Sequence, residues 1–77
     1  MKLKDVVILG VDPGTVVTGY SVLQITDGKP ELKTLGVILL GKQTEDPPLK
    51  LQKIFRRIVS IIDEFHPDMM AIEAPFY

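Results

Sequence analysis

Two acidic residues of this 77-residue sequence, Asp12 and Glu73, stand where carboxylates could support chemistry. Each directly follows a short apolar run, Val6 to Val11 for Asp12 and Met69 to Ile72 for Glu73. Two carboxylates held close together raise each other's pKa unless a cation neutralises them. Mg²⁺ takes oxygen ligands and is usually held by one or two carboxylates together with substrate phosphate. If the fold brings these acids together, they favour metal-dependent chemistry at a phosphate, with water activated by the metal as the nucleophile.

Each acid also has a structural interpretation. Asp12 begins an Asp-Pro-Gly sequence, a common turn in which Asp accepts backbone N–H groups and Gly supplies a positive φ. For Asp12 the structural and functional interpretations therefore carry equal weight. An acid at the end of an apolar strand, like Glu73, needs a partner or water, which favours function. The chain has no Cys, and no Ser–His–acid arrangement is discernible around its single His66, so metal-bound water and not a side chain is the expected nucleophile.

Length and composition limit the class of protein. At 77 residues the chain forms at most one small domain, and 45% hydrophobic with 25% charged residues is typical of globular proteins. The net charge of −1 provides no large field to attract nucleic acid or anionic membranes. No run approaches the roughly 20 apolar residues of a membrane span, and the first apolar run is too short for a signal peptide. The sequence predicts an intracellular, cytoplasmic protein with no membrane partner.

Three strands precede a helix in the predicted order of elements. The first, Val6 to Val11, is apolar throughout and predicts a central strand buried on both faces. Val16 to Thr26 and Leu32 to Leu40 follow, and Asp27-Gly28 between them predicts a hairpin, so the three strands form an antiparallel meander. Glycines inside these strands, at positions 10, 19 and 36, indicate a bulge or a close approach of another chain segment.

A helix and a fourth strand complete the prediction. Thr44 or Asp46 would cap the helix, with prolines in its first turn, and Pro67 predicts its end near His66. One apolar stripe is expected to face the sheet, formed by Leu51, Ile54, Phe55, Ile58, Ile61, Ile62 and Phe65. The cationic residues Lys50, Lys53, Arg56 and Arg57 are expected to be solvated surface, with phosphate contact as the less favoured alternative.

The connection between the first and fourth strands predicts where the two acids lie. A strand, a helix and a further strand normally form a right-handed crossover that makes the two strands parallel. If these strands are neighbours, Asp12 and Glu73 end them at the same edge of the sheet. Open α/β sheets bind their ligands at that edge. We therefore expect a divalent-metal site formed by Asp12 and Glu73.

Several segments in this order carry a family resemblance. They are Ile8 to Gly14, Thr18-Gly19-Tyr20, Gly36-Val37-Ile38, the helix, and His66 to Tyr77. Together they resemble the amino-terminal half of the RuvC family, the bacterial Holliday junction resolvases or crossover junction endodeoxyribonucleases. The resemblance covers about residues 6–77, and the two acidic motifs at this separation are its most specific part.

The resemblance implies a fold, an activity and partners. The implied fold is an α/β, ribonuclease H-like mixed sheet, and the implied protein is a homodimer that nicks opposed strands of four-way junction DNA with Mg²⁺ or Mn²⁺. By motif position, Asp12 and Glu73 match two of the family's four metal-binding carboxylates, and Phe76 or Tyr77 matches its DNA-contacting aromatic region. From the residues alone, Phe76 and Tyr77 could stack on bases or pack in a core. The RuvA–RuvB branch-migration complex is a further implied partner.

The sequence departs from the family pattern in two ways. Val16 stands where many members carry a basic residue, which puts a phosphate contact in that loop in doubt. The family's other two metal-binding acids lie on a carboxyl-terminal helix, and the chain ends at Tyr77. We therefore expect residues 1–77 to be the amino-terminal portion of one nuclease domain, inactive by itself.

Three alternatives remain open at this level. The related RuvX-type nuclease of ribosomal RNA processing shares the Asp-Pro-Gly start. The actin-like and sugar-kinase superfamily has a phosphate loop resembling Asp12-Pro13-Gly14-Thr15. A binding module that keeps the fold but lacks catalysis is the third. The end of the chain, Ile72 to Tyr77, favours the resolvase among these.

Overall fold

A computed structural model describes residues 5–41 and 46–73. The elements in chain order are β1 (Val6–Asp12), β2 (Val17–Thr26), β3 (Lys29–Leu39), α1 (Pro47–Phe65) and β4 (Met69–Ile72). The strands form one sheet in the order β3-β2-β1-β4. The β1–β2 and β2–β3 pairs are antiparallel, and β1–β4 is parallel. This arrangement confirms the predicted meander and the predicted crossover onto the first strand.

The β2–β3 hairpin turns at Asp27 and Gly28, as predicted. Both residues have positive φ, 51° and 77°, which Gly adopts freely and Asp tolerates better than most residues. The ladder slips once, because Val22 pairs with Thr34 while Leu23 pairs with Leu32. The irregularity therefore lies away from the strand glycines. The third strand also begins at Lys29, three residues earlier than predicted.

Helix α1 begins and ends close to the predicted positions. Asp46 is the N-cap residue, and its carbonyl oxygen accepts the N–H groups of Leu49 and Lys50 at 3.1 and 3.2 Å. Pro47 and the following proline occupy the first two helical positions, where a missing N–H leaves no bond unmade. His66 closes the helix in a left-handed conformation and donates its N–H to Ile62. The alternative cap, Thr44, lies outside the described residues.

The core lies between α1 and one face of the sheet. It contains Leu9, Tyr20, Val22, Ile38, Leu40 and Ile61, with Val7, Val11, Ile54, Ile58 and Phe65 packed against it. The prediction that the first strand is buried on both faces was wrong for the described residues. Helix α1 covers one face only, and on the other face Leu35, Val37 and Leu39 of β3 are exposed. We call this second surface the open face.

The predicted apolar stripe of α1 was too wide. Four of its seven residues pack toward the core, while Leu51, Phe55 and Ile62 are exposed. At 3.6 residues per turn, the exposed three lie about 70° around the helix from the buried four. A single sheet face covers only one of these two lines of residues. No helix of the described segments combines the length and apolarity that a bilayer crossing requires.

Candidate active site

Asp12 and Glu73 occupy matching positions on neighbouring parallel strands. Val11 pairs with Ile72 in the β1–β4 ladder, and Glu73 donates its backbone N–H to the Val11 carbonyl oxygen at 3.0 Å. The residue that follows each member of this pair is an acid, Asp12 after Val11 and Glu73 after Ile72. Because the ladder ends at Val11 and Ile72 and adjacent strands lie about 4.8 Å apart, the two acids that follow are neighbours at one edge of the sheet.

The two acids lie at one end of a groove on the open face. The groove has a volume of about 770 Å³, and Asp12 and Glu73 line it together with Gly10, Gly19 and Ala71. Gly19 is the β2 partner of Asp12, and a Cβ built on it would lie 3.8 Å from the Asp12 Cβ. Asp12 is therefore flanked by a residue without a side chain on one strand and by a second acid on the other. This leaves the carboxylates open to the groove.

Neither carboxylate has a protein partner within the described segments. No hydrogen bond or ion pair in residues 5–41 and 46–73 involves the side chain of Asp12 or Glu73, and both residues are exposed. These ranges contain no group of three or more His, Cys, Asp or Glu residues placed to hold a metal. Two unpartnered acids on one edge nevertheless match Mg²⁺, which commonly takes one or two protein carboxylates and completes its shell with water and substrate oxygens.

The turn after Asp12 is held by residues other than Asp12. The Thr18 hydroxyl contacts the backbone N–H of Gly14 at 3.3 Å and its carbonyl oxygen at 3.2 Å. Lys50 Nζ donates to the Thr15 carbonyl oxygen at 3.0 Å, and Leu40 N–H donates to that of Val16 at 2.8 Å. The carbonyl groups of three consecutive residues thus accept hydrogen bonds from β2, from α1 and from the residue that follows β3. The structural interpretation of Asp12 as the acceptor that holds its own turn finds no support in these contacts.

Gly14 is required by the path of this turn. A Cβ at position 14 would collide with the carbonyl oxygen of Val17, so the chain folds back on itself too closely for any side chain there. A second cavity of about 500 Å³ lies behind the turn, lined by Gly14, Thr15, Leu40, Pro47, Lys50, Leu51 and Ile54. Lys50 therefore points toward the turn and is half-buried, which corrects its predicted place on a solvated helix face.

Tyr20, Gly36 and Arg57 form a further contact that the sequence analysis did not predict. Tyr20 pairs with Gly36 across β2 and β3, and its ring fills the space that a Cβ of Gly36 would occupy. Arg57 Nη2 donates to the Tyr20 hydroxyl at 2.7 Å, and its Cζ lies 5.4 Å from the ring centroid. Gly36 inside a strand was the available signal, since it indicates a close approach. Arg57 is exposed, as predicted for this helix face, and its contact with Tyr20 was not predicted.

The remaining predicted site residues lie elsewhere. Phe76 and Tyr77, the predicted DNA-contacting aromatics, lie outside the described residues. Val16 is exposed in the turn after Asp12. His66 has a structural position as the left-handed residue that closes α1. The structure therefore brings together Asp12 and Glu73 and leaves the aromatic prediction untested.

The sequence comparisons support one family. A family model described as "Crossover junction endodeoxyribonuclease RuvC" matches residues 8–77. A protein of that description from Cytophaga hutchinsonii is 54% identical over 76 residues, covering 99% of this chain and 38% of its own length. Another from Porphyromonas gingivalis is 48% identical over 77 residues, covering 100% of this chain and 40% of its own length. The chain thus spans about 40% of the length of the curated relatives it matches.

The solved structures give the same fold. The structure titled "T. thermophilus RuvC in complex with Holliday junction substrate" superposes with a TM-score of 0.81 at 24% identity, covering 92% of this chain and 45% of that one. The mixed sheet, with β1 and β4 parallel and one helix packed on it, belongs to the ribonuclease H-like α/β class. Within that class, the chain is a member of the RuvC family.

Proposed function

We propose that residues 1–77 form the amino-terminal portion of a single ribonuclease H-like nuclease domain. The whole protein is a metal-dependent endonuclease that hydrolyses phosphodiester bonds to resolve four-way DNA junctions in recombination and repair. The observation that carries this proposal is the position of Asp12 and Glu73 directly after the last β1–β4 pair, where both line the open groove. Family membership supports the same activity, and a relative's structure is titled as a Holliday junction complex.

Asp12 and Glu73 act in this proposal as ligands for a divalent cation, Mg²⁺ or Mn²⁺. Their carboxylates provide the hard oxygen ligands that such ions prefer. When bound, the cation supplies a water of lowered pKa and stabilises negative charge on the phosphate. The chain's own residues orient the carboxylates toward the groove, and the missing side chain of Gly19 leaves room beside Asp12 for a phosphate to approach. The 77 residues alone are expected to be inactive, because the family's remaining acids are not among them.

The proposed partners are junction DNA and a second copy of the protein in a cytoplasmic homodimer. The exposed apolar line of Leu51, Phe55 and Ile62 on α1 supports association, because exposed apolar patches commonly mark protein interfaces. Phe76 and Tyr77 are proposed DNA contacts on the strength of their motif position. The RuvA–RuvB complex is proposed as a partner on family membership alone.

The test is cleavage of a synthetic four-way junction by the full-length protein, against a linear duplex of the same sequence, with Mg²⁺ or Mn²⁺. Wild-type protein is expected to cut the junction with symmetric nicks. Asp12→Asn and Glu73→Gln should each abolish cleavage while leaving junction binding largely intact, because an amide is a neutral and weaker metal ligand. Failure to cut the junction, or to prefer it over the duplex, would favour the RNA-processing or phosphate-binding alternatives.

Matched controls separate loss of a ligand from loss of charge. Asp27→Asn changes the same chemistry in the exposed β2–β3 turn, where Asn also tolerates positive φ. Glu31→Gln changes an exposed acid whose ion pair with Lys33 is 3.6 Å long. Both variants should cut like the wild type. If Asp12→Asn protein cuts the junction as well as the wild type, Asp12 is not part of the mechanism.

A further inference from the structure

Thr18 is the only polar residue among the fully buried residues of the described chain, with 0% of its surface exposed. A buried hydroxyl is costly unless it is hydrogen-bonded. The described bonding of the Thr18 hydroxyl is to one residue, Gly14, as acceptor from the N–H and as donor to the carbonyl oxygen. Its one donor and one of its two acceptor positions are therefore bonded to the backbone two residues after Asp12.

Residues of β2 contact the backbone on both sides of Pro13. Asp12 pairs with Gly19 in the β1–β2 ladder, and Gly14 is bonded to Thr18, the preceding residue of β2. Pro13 between them has a restricted φ. Two consecutive residues of one strand thus fix the backbone immediately before and after the point at which β1 ends. The direction in which the Asp12 side chain leaves the sheet depends on this local backbone.

We propose that Thr18 is a positioning residue for Asp12: its hydroxyl, by holding both polar backbone groups of Gly14, aims the Asp12 carboxylate at the groove that it shares with Glu73. This inference rests on the proposed role of Asp12 as a metal ligand. Groups hydrogen-bonded to a metal ligand typically change metal affinity by 10-fold to 100-fold when they are removed, and Thr18, which acts through the backbone next to the ligand, is expected at the low end of this range. Thr18 itself touches neither metal nor DNA.

The experiment compares four forms of the full-length protein that differ at position 18. Thr18→Val keeps the shape and removes the hydroxyl, and Thr18→Ser keeps the hydroxyl and removes the methyl group. Thr18→Ala lacks both, so the Ser and Ala variants form a second pair that differs only in the hydroxyl. Thr34→Val is the matched control, since Thr34 is a half-buried strand residue whose side chain makes no hydrogen bond within the described segments.

Two readouts report on positioning. The first is Mn²⁺ affinity without DNA, measured by calorimetry. The second is the Mn²⁺ concentration that gives half-maximal junction cleavage. We expect Thr18→Val and Thr18→Ala to weaken Mn²⁺ binding and to raise the half-maximal concentration by about 10-fold. Thr18→Ser and Thr34→Val should match the wild type in both. Junction binding in EDTA should be unchanged in all forms, because it does not require an aimed carboxylate.

Two outcomes overturn the inference. Folded Thr18→Val protein with wild-type Mn²⁺ affinity would show that the hydroxyl does not position Asp12. Failure of both hydroxyl-free variants to fold, with Thr18→Ser folded, would show that the hydroxyl serves the fold as a whole. Failure of the proposed function has a different signature: wild-type protein would then bind Mn²⁺ without cutting the junction, while the position-18 variants would still differ in affinity.

Discussion

Asp68 makes two hydrogen bonds to the backbone of Val7. Its N–H donates to the Val7 carbonyl oxygen at 2.8 Å, and its Oδ2 accepts the Val7 N–H at 2.8 Å. These bonds precede the β1–β4 ladder, which begins at the next residue on each strand with Ile8 opposite Met69. Since a slip of one residue would turn every side chain of β4 to the other face, Asp68 helps to set the register that brings Glu73 beside Asp12.

Removing the Asp68 side chain should weaken the sheet. We expect Asp68→Ala to lower the free energy of unfolding of the full-length protein by about 1 kcal/mol, because the exposed carboxylate provides one net hydrogen bond. Asp68→Asn should cost less, since its amide oxygen can still accept from Val7. Urea denaturation measures both. Asp63→Ala, at an exposed helical position, is the control, and equal losses at positions 63 and 68 would contradict the assigned role.

A side chain at position 36 should strain the packing of Tyr20. Gly36→Ala places a Cβ where the Tyr20 ring lies, so we expect a loss of about 1 to 3 kcal/mol of unfolding free energy. Gly19→Ala is the matched control, because its Cβ would meet Asp12 at an ordinary contact distance. Combining Gly36→Ala with Tyr20→Leu should recover part of the loss. Strict additivity of the two changes would show that the ring and the glycine do not interact.

Arg57 should contribute to stability where its neighbour Arg56 does not. Arg57→Met breaks the hydrogen bond to Tyr20 and the contact with its ring, for an expected loss of about 1 kcal/mol. Arg56→Met removes an exposed cation of the same helix and should change stability little. Thermal unfolding of the two variants side by side measures the difference. Equal melting temperatures would mean that solvent replaces the Arg57 contact at no net cost.

The 77-residue chain by itself should associate. The open face exposes Leu35, Val37 and Leu39, and β4 forms an edge of the described sheet, so both apolar surface and unpaired backbone are available. We expect sedimentation to show species larger than a monomer at high concentration. Val37→Lys should reduce this association by placing a charge on the open face. A compact monomer at all concentrations would contradict the prediction.

The sequence predicted the features that follow from regular spacing. Apolar runs revealed the strands, Asp27-Gly28 revealed the hairpin, and the handedness of crossovers placed Asp12 and Glu73 at one edge. The contacts of Thr18 and Asp68 were not predicted, because they join a side chain to the backbone of a residue that only the folded register identifies. Periodicity carries no information about such bonds.

The two wrong predictions of burial, for the second face of β1 and for part of the α1 stripe, share one physical cause. An apolar pattern records which residues avoid water in the whole assembly, whereas the described residues contain only one covered face of the sheet. Phe55 is therefore exposed although its position in the helix pattern predicted burial. The pattern also could not show that Lys50 contacts the turn after β1 and that Arg57 contacts Tyr20 of β2, because long cationic side chains reach neighbours well beyond their own helical face.

The parallel pairing of β1 with β4 has a consequence for how the protein is made. Val7 and Asp68 are 61 residues apart in the chain, and the meander and helix lie between them. The β1–β2–β3 meander can form from local contacts as the polypeptide leaves the ribosome. Its first strand, however, can pair with β4 only after the helix and β4 have been synthesised. Asp12 therefore has no neighbouring Glu73 until β4 has been synthesised and has paired with β1. The two-acid site cannot form earlier during synthesis.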